Sequence, residues 1–142
     1  MLQLKSEVGK VSAVLEATLE KEVHEPVGVH YILEIYECPS AILNNLTYIM
    51  ESLRGAVKVA GATLLNEVSH QFSPQGVTAL MLLAESHISI HTWPESGYAA
   101  IDVFTCGSHT MPDMACAHLV DKLQAKRHLL FKMPRNTELP EA

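Results

Sequence analysis

Reactive residue types are concentrated between residues 85 and 107, in the run ESHISIHTWPESGYAAIDVFTCG. This run contains two candidate nucleophiles, Ser86 and Cys106, and two histidines, of which His91 is a candidate base and His87 directly follows Ser86. Cys106 with His91 meets the minimum inventory of a thiol hydrolase, although sequence alone does not place the two side chains within hydrogen-bond reach. A serine hydrolase is a poorer interpretation, because no Gly-x-Ser-x-Gly turn surrounds Ser86. The run indicates a reactive site and leaves its reaction open.

The same segment contains histidines and cysteines that are common metal ligands. His87 and His91 would lie about 13 Å apart in a strand, at roughly 3.3 Å per residue, which is too far for one ion. The motifs C-x-x-H at 106–109 and C-x-H at 116–118 suit zinc better by residue type, but their spacing fits no common zinc knuckle. We therefore expect no metal centre.

The pattern of apolar residues predicts the elements that must position this segment. Strands are predicted over residues 28–36, 87–93, 98–105 and 128–133, with a hairpin between 63 and 83 whose turn is at 73–76. One helix is predicted to begin at Ser40, as its N-cap, and to end at Gly61. A second helix is predicted over residues 112–126.

The N-terminal segment has the pattern of an amphipathic helix. Its apolar residues recur every three or four positions, at Leu4, Val8, Val11, Leu15 and Leu19. We expect residues 1–26 to form a helical extension, ended by the proline at position 26, and residues 27–142 to form a single domain. The element order βαββ followed by ββαβ predicts an α+β fold, a two-layer α/β sandwich whose mainly antiparallel sheet carries helices on one face.

Composition narrows the functional class. The chain has 142 residues, of which 48% are hydrophobic and 18% charged, and this suits one compact domain. A net charge of −6 with scattered lysines and arginines offers no surface for nucleic acid. No apolar run approaches the roughly 20 residues of a membrane span, so we expect a soluble, cytoplasmic protein. The odd cysteine count, with Cys38, Cys106 and Cys116, argues against a disulfide framework.

The run from position 85 closely resembles the signature of prokaryotic S-adenosylmethionine decarboxylase proenzymes, and the upstream HQFSPQGVT and GVHYILEIYEC fit that family in order and spacing. The resemblance covers roughly residues 28–131, and a match of this length is highly specific. Two departures stand out. Glu37 occupies a position where some members have a glycine, and residues 1–26 extend beyond the usual start. Neither departure touches the expected chemistry.

The resemblance implies a chain that cuts its own backbone between Glu85 and Ser86. Ser86 Oγ attacks the carbonyl of Glu85 to form an ester. β-Elimination then frees the upstream chain and leaves a dehydroalanine, which hydrolyses to a pyruvoyl group. His91 matches the family's processing histidine, which removes the α-proton. Thr78 stands where the family usually has a serine whose hydroxyl stabilises the oxyanion. Threonine keeps the hydroxyl, but its additional methyl group makes the side chain stiffer than that of serine. Cys106 matches the proton donor of the mature enzyme.

The resemblance also implies a substrate and an assembly. Phe72 corresponds to the aromatic residue that stacks on adenine, and Glu95 to the carboxylate that holds the ribose hydroxyls. The implied reaction is decarboxylation of S-adenosylmethionine to the aminopropyl donor for spermidine, with the pyruvoyl group as covalent cofactor. The implied assembly is a homodimer of cleaved protomers. Two alternatives stay open: a pyruvoyl decarboxylase of ornithine or arginine, and a partner subunit that never cleaves.

Overall fold

The computed structural model describes residues 26–136 of the chain, and Val27–Arg135 form one compact unit. The helix predicted before Pro26 falls outside the described residues. Among the described residues, none of the helices is both long and apolar enough to cross a membrane.

A six-stranded sheet forms the framework of the unit. Its strands are β1 (Gly28–Tyr36), β2 (Leu64–Gln71), β3 (Val77–Leu83), β4 (Ser86–Trp93), β5 (Tyr98–Cys106) and β6 (Arg127–Arg135). The helices are α1 (Ser40–Leu43), α2 (Leu46–Val59) and α3 (Pro112–Lys122), and a 3-10 turn at Pro94–Ser96 joins β4 to β5. The strand order is β2-β3-β4-β5-β1-β6, with every neighbouring pair antiparallel. The predicted α+β sandwich with an antiparallel sheet is confirmed.

Alternation along the central strands decides which side of the sheet the helices cover. Every second residue is buried against the helices, and the fully buried side chains include Leu33, Ile35, Met81, Ile88, Ile90 and Ile101. Because successive strand residues point to opposite faces, the residues between them lie on the other side. They are partly or fully exposed, so residues 26–136 leave that side uncovered. We call it the open face.

The helix predicted from Ser40 to Gly61 is in fact two helices, and this prediction was wrong in detail. Ser40 is the first residue of α1 and makes no capping hydrogen bond. The cap belongs to Asn45, whose side-chain oxygen accepts a hydrogen bond from the backbone N–H of Tyr48 at 3.0 Å. Asparagine at this position satisfies a free N–H of the first turn of α2, so the chain restarts there as a new helix.

The second predicted helix also ends earlier than expected. The α3 helix stops at Lys122, four residues before the predicted end at position 126. Gln124 follows with a left-handed φ of 52°, a conformation that terminates a helix. The chain then continues into β6, which begins at Arg127 and pairs with β1.

Candidate active site

The turn between β3 and β4 carries the glutamate–serine bond that the sequence singles out. β3 ends at Leu83 and β4 begins at Ser86, so Glu85 lies in the turn. Ser86 has a φ of 147°, in a region that residues with a Cβ rarely adopt. Such a conformation costs on the order of 1–3 kcal/mol and persists only where the surroundings hold it. The backbone is therefore strained at the bond expected to be cut.

Glu85 is held through both its backbone and its side chain. Its carbonyl oxygen accepts a hydrogen bond from the backbone N–H of Cys106 at 2.9 Å. Its buried carboxylate accepts the Thr63 N–H at 3.1 Å from each oxygen, and His109 Nε2 lies 3.1 Å from one of them. Burial raises the pKa of Glu85, but the hydrogen bonds from Thr63 and His109 outweigh burial and lower the pKa overall. The Glu85 carbonyl is thus held in place by the Cys106 N–H and polarised by it.

Ser86 has a histidine as its immediate neighbour. The hydroxyl oxygen Oγ of Ser86 lies 3.2 Å from Nδ1 of His87. The ring of His87 is half-buried between the rings of His30 and Phe104, at centroid distances of 6.5 Å and 6.2 Å. Burial is the main cause that lowers the pKa of His87, and the charge of His30 adds to it. His87 is consequently neutral near pH 7, with a lone pair able to face the hydroxyl.

Cys106 ends β5 beside the same turn, and its thiol is free and partly exposed. Gly28 pairs with it across β1 and β5. A Cβ at Gly28 would lie 2.9 Å from Cys106 Sγ and 2.9 Å from a ring carbon of Phe104. Any residue other than glycine would therefore clash with these two side chains. We call Glu85, Ser86, His87 and Cys106 the cleavage cluster.

The other two cysteines belong to the hydrophobic core. Burial raises the pKa of Cys38 to about 11 and that of Cys116 to about 12. Thiols with such values stay protonated and are poor nucleophiles. Cys106 is therefore the cysteine suited to chemistry.

The remaining predicted site residues gather at the opposite end of the sheet. Thr78 Oγ1 lies 2.9 Å from His91 Nδ1 on the neighbouring strand. Phe72 follows the end of β2, with its ring edge-on to His70 and about half exposed, and Glu95 lies in the exposed 3-10 turn after β4. We call Phe72, Thr78, His91 and Glu95 the distal cluster.

The two clusters do not meet within one chain. His91 follows Ser86 by five residues on β4, which corresponds to about 16 Å at roughly 3.3 Å per residue. The spacing that excludes one ion between His87 and His91 therefore also separates Ser86 from His91. Within one chain, over the described residues, Cys106 therefore lies near Ser86, whereas His91 and Thr78 lie far from Ser86.

Several contacts at the site were missed by sequence reasoning. His30 donates to Asp102 at 2.8 Å across the β1–β5 pair, and His109 reaches the Glu85 carboxylate. Tyr98 donates a hydrogen bond to Glu34. Strand alternation in the sequence gives only the face on which each of His30 and Asp102 lies, whereas their contact depends on the register between β1 and β5.

The site coincides neither with a deep cavity nor with a cluster of metal ligands among the described residues. A cavity of about 570 Å³ lies on the helix side, where α3 and β6 contribute Cys116, Val120 and Leu130 to its lining. It contains no member of either cluster. Over residues 26–136 the structure has no group of three or more histidine, cysteine or acidic side chains arranged to hold a metal ion.

Fold and site together define an α+β protein with a serine, Ser86, in a strained backbone conformation at the turn between β3 and β4. The profile of the family described as "S-adenosylmethionine decarboxylase" matches residues 29–136. The chain therefore belongs to the S-adenosylmethionine decarboxylase family.

Similar proteins agree with this placement. An S-adenosylmethionine decarboxylase proenzyme of Parasynechococcus marenigrum is 61% identical over 111 residues, which cover 78% of this chain and 87% of that protein. The proenzyme of Methanococcus aeolicus is 44% identical over 111 residues, covering 78% of this chain and 95% of its own. The crystal structure of the adenosylmethionine decarboxylase from Aquifex aeolicus superposes with a TM-score of 0.76 at 36% identity, covering 84% of this chain and 98% of that one.

Proposed function

We propose that this chain is the proenzyme of an S-adenosylmethionine decarboxylase, which cuts itself between Glu85 and Ser86 and converts Ser86 into a pyruvoyl group. The observation that carries the proposal is the hydrogen bond from Cys106 N–H to the Glu85 carbonyl, at a serine with a strained φ. A donor fixed on that oxygen stabilises the negative charge that develops when Ser86 Oγ attacks the carbonyl carbon. Family membership supports the same reaction.

The chain's own residues explain why this bond is the one to break. The Glu85 carboxylate is anchored by Thr63 and His109, so its carbonyl stays aligned with the Cys106 N–H. Transfer of the acyl group from nitrogen to Oγ opens the turn and relieves the strain at Ser86. Ser86 is thereby suited to become the cofactor, because it is the residue on which strain and polarisation converge.

After cleavage the pyruvoyl group would supply an electron sink for the loss of carbon dioxide, as pyridoxal phosphate does in other enzymes. Cys106 would return a proton to the α-carbon, because its residue is partly exposed and directly follows Thr105, the register partner of Ser86. Phe72 would stack on adenine and Glu95 would accept hydrogen bonds from the ribose, since both side chains are exposed. The product would be the aminopropyl donor for spermidine synthesis.

We also infer that the working enzyme is a homodimer. One chain keeps its His91 about 16 Å from its own Ser86, so the site would be incomplete without a second copy. Large apolar side chains of the open face are between 42% and 63% exposed, namely Val68, Leu82, Trp93, Leu129, Phe131 and Met133. Such a patch marks an interaction surface. Two open faces related by a two-fold axis would place each distal cluster over the partner's cleavage cluster.

Intact-mass analysis combined with an activity assay tests the proposal. We expect the wild type to yield a fragment of 85 residues and one of 57, which is 142 − 85, with the shorter fragment blocked by pyruvoyl. Ser86→Ala should stay whole, because it lacks the attacking oxygen. Carbon dioxide release is then measured with S-adenosylmethionine, ornithine and arginine. Cleavage of Ser86→Ala at the same bond, a wild type that never cleaves, or turnover of a basic amino acid alone would contradict the proposal.

A further inference from the structure

His87 is a titratable residue in contact with the reacting hydroxyl, and the processing steps described above give it no role. We propose that His87 is the general base for the first step of self-cleavage, the transfer of the Glu85 acyl group from the Ser86 nitrogen to Ser86 Oγ. This inference rests on the proposed function and adds a catalytic residue to it. His91 would act only afterwards, on the ester.

Among the histidines near the turn, His87 is the one whose ring nitrogen lies within hydrogen-bond distance of the Ser86 hydroxyl. Its Nδ1 lies 3.2 Å from Ser86 Oγ, within the range expected for a base and the proton it removes. His109 is bonded to the Glu85 carboxylate and has no such contact with the hydroxyl. His91 lies about 16 Å along the strand and bonds to Thr78. A partner's His91 has no need to act until the ester exists, because the adjacent His87 already contacts the hydroxyl.

The surroundings of His87 hold its ring in a protonation state suited to a base. On β1 and β5 it faces His30 and Asp102, which bond to each other at 2.8 Å. On β6, the charged Arg135 lies over the Phe104 ring at 5.5 Å, and the centroid of the same ring is 6.2 Å from that of His87. From β3 its register partner is Leu82, which does not titrate. Burial and His30 lower the pKa of His87 while Asp102 raises it, and the net direction is downward.

The step balances without any further reactant. Nδ1 takes the hydroxyl proton while Oγ bonds to the carbonyl carbon of Glu85, and the Cys106 N–H stabilises the resulting oxyanion. The carbon–nitrogen bond then breaks, and the imidazolium returns the proton to the leaving nitrogen of Ser86. The products are an ester between Glu85 and Ser86 Oγ and a free α-amine, with His87 neutral again.

Trapping the ester separates this step from the elimination that follows. Hydroxylamine cuts an ester but leaves an amide intact, so total cutting in its presence measures ester formation. In a His91→Ala background we expect hydroxylamine to cut the chain after residue 85. Adding His87→Ala should slow this cutting by about 10²- to 10⁴-fold, the usual contribution of a general base. His128→Ala, which alters an exposed histidine on the helix side of β6, is the matched control and should cut normally.

Two further readouts distinguish a base from a structural residue. Ester formation in the His91→Ala chain should rise with pH through an inflection below 6.5, the ordinary pKa of histidine, and this inflection should disappear without His87. Free imidazole should restore ester formation to His87→Gly, whose fold is checked by circular dichroism. Normal ester formation in His87→Ala, or a slow His87→Gly chain that keeps the inflection and ignores imidazole, would overturn the inference alone. A wild type that never cleaves would overturn the proposed function and this inference with it.

Discussion

Thr78 Oγ1 and His91 Nδ1 lie 2.9 Å apart on adjacent strands, at the end of the sheet opposite Ser86. The hydroxyl orients His91, whose expected target, Ser86, lies about 16 Å away on the same strand. This relationship is best explained if the pair acts on the Ser86 of a second copy. An experiment that combines two different variant chains in one dimer can test this explanation.

We predict that Ser86→Ala and His91→Ala chains complement each other when they are coexpressed. In the mixed dimer one site combines the intact Ser86 of one chain with the intact His91 of the other. Only the His91→Ala chain should be cut, whereas the His91→Ala chain alone should be slower by about 10²- to 10⁴-fold. Intact mass identifies which chain is cut. As control, the double variant Ser86→Ala/His91→Ala should not help the His91→Ala chain, and equal help from it would exclude sharing of sites.

Replacing Cys106 with alanine should separate cleavage from turnover. The backbone N–H that contacts the Glu85 carbonyl remains in the variant, so the chain should still be cut. The thiol is lost, so carbon dioxide release by the cleaved enzyme should fall by about 10²- to 10⁴-fold. The assay uses only cleaved protein, quantified by intact mass. Cys116→Ala, which removes a buried thiol on the helix side, should keep full turnover once its stability is checked, and equal loss in both variants would refute the role of Cys106.

Substrate recognition should depend on the two exposed side chains of the distal cluster. Phe72→Ala removes a stacking surface and should weaken use of S-adenosylmethionine by about 1–3 kcal/mol in kcat/KM. Glu95→Gln keeps the shape of the side chain but removes its charge, and should weaken use of the same substrate separately. Glu51→Gln, on the exposed side of α2, should have no effect. Turnover of ornithine or arginine that is indifferent to Phe72 would contradict a nucleoside site.

The contact between Gly28 and Cys106 predicts a position that tolerates no side chain. Gly28→Ala would place a Cβ 2.9 Å from Cys106 Sγ and 2.9 Å from the Thr105 carbonyl oxygen, which is backbone and does not yield easily. We expect a loss of about 1–3 kcal/mol in the free energy of unfolding and slower self-cleavage. Gly55→Ala, which meets His118 on the helix side, should lower stability without slowing cleavage per folded molecule. Equal cleavage rates in the two variants would contradict the prediction.

The anchoring of Glu85 should appear in the pH dependence of stability. Its pKa is lowered in the folded chain, so its stabilising effect is present above the ordinary value of 4.5 and is lost as pH falls through the lowered pKa. In a Ser86→Ala background, which keeps the chain whole, Glu85→Gln should be less stable than its parent at pH 7. Urea unfolding should show this difference shrinking toward pH 3. A difference that is independent of pH would show that the charge of Glu85 does not contribute.

The sequence alone predicted most of the sheet. Strand alternation and turn residues are local signals, so β1, the β2–β3 hairpin and the β4–β5 pair were found close to their observed bounds. The helix boundaries were predicted less well, because the cap at Asn45 and the left-handed Gln124 interrupt apolar patterns that continue past them. The family resemblance rested on local motifs as well, and it was confirmed.

By itself, then, the sequence determined the α+β class and the family, and it predicted the residues expected to carry chemistry, because each of these depends on neighbours along the chain. Only the tertiary structure decided which of them meet. The donation from Cys106 to the Glu85 carbonyl, the pairing of His30 with Asp102 and the anchoring by Thr63 all depend on strand register and on packing between residues far apart in sequence. The rise along β4 then separates His91 from Ser86, because an extended strand cannot fold back on itself to bring two of its own residues together.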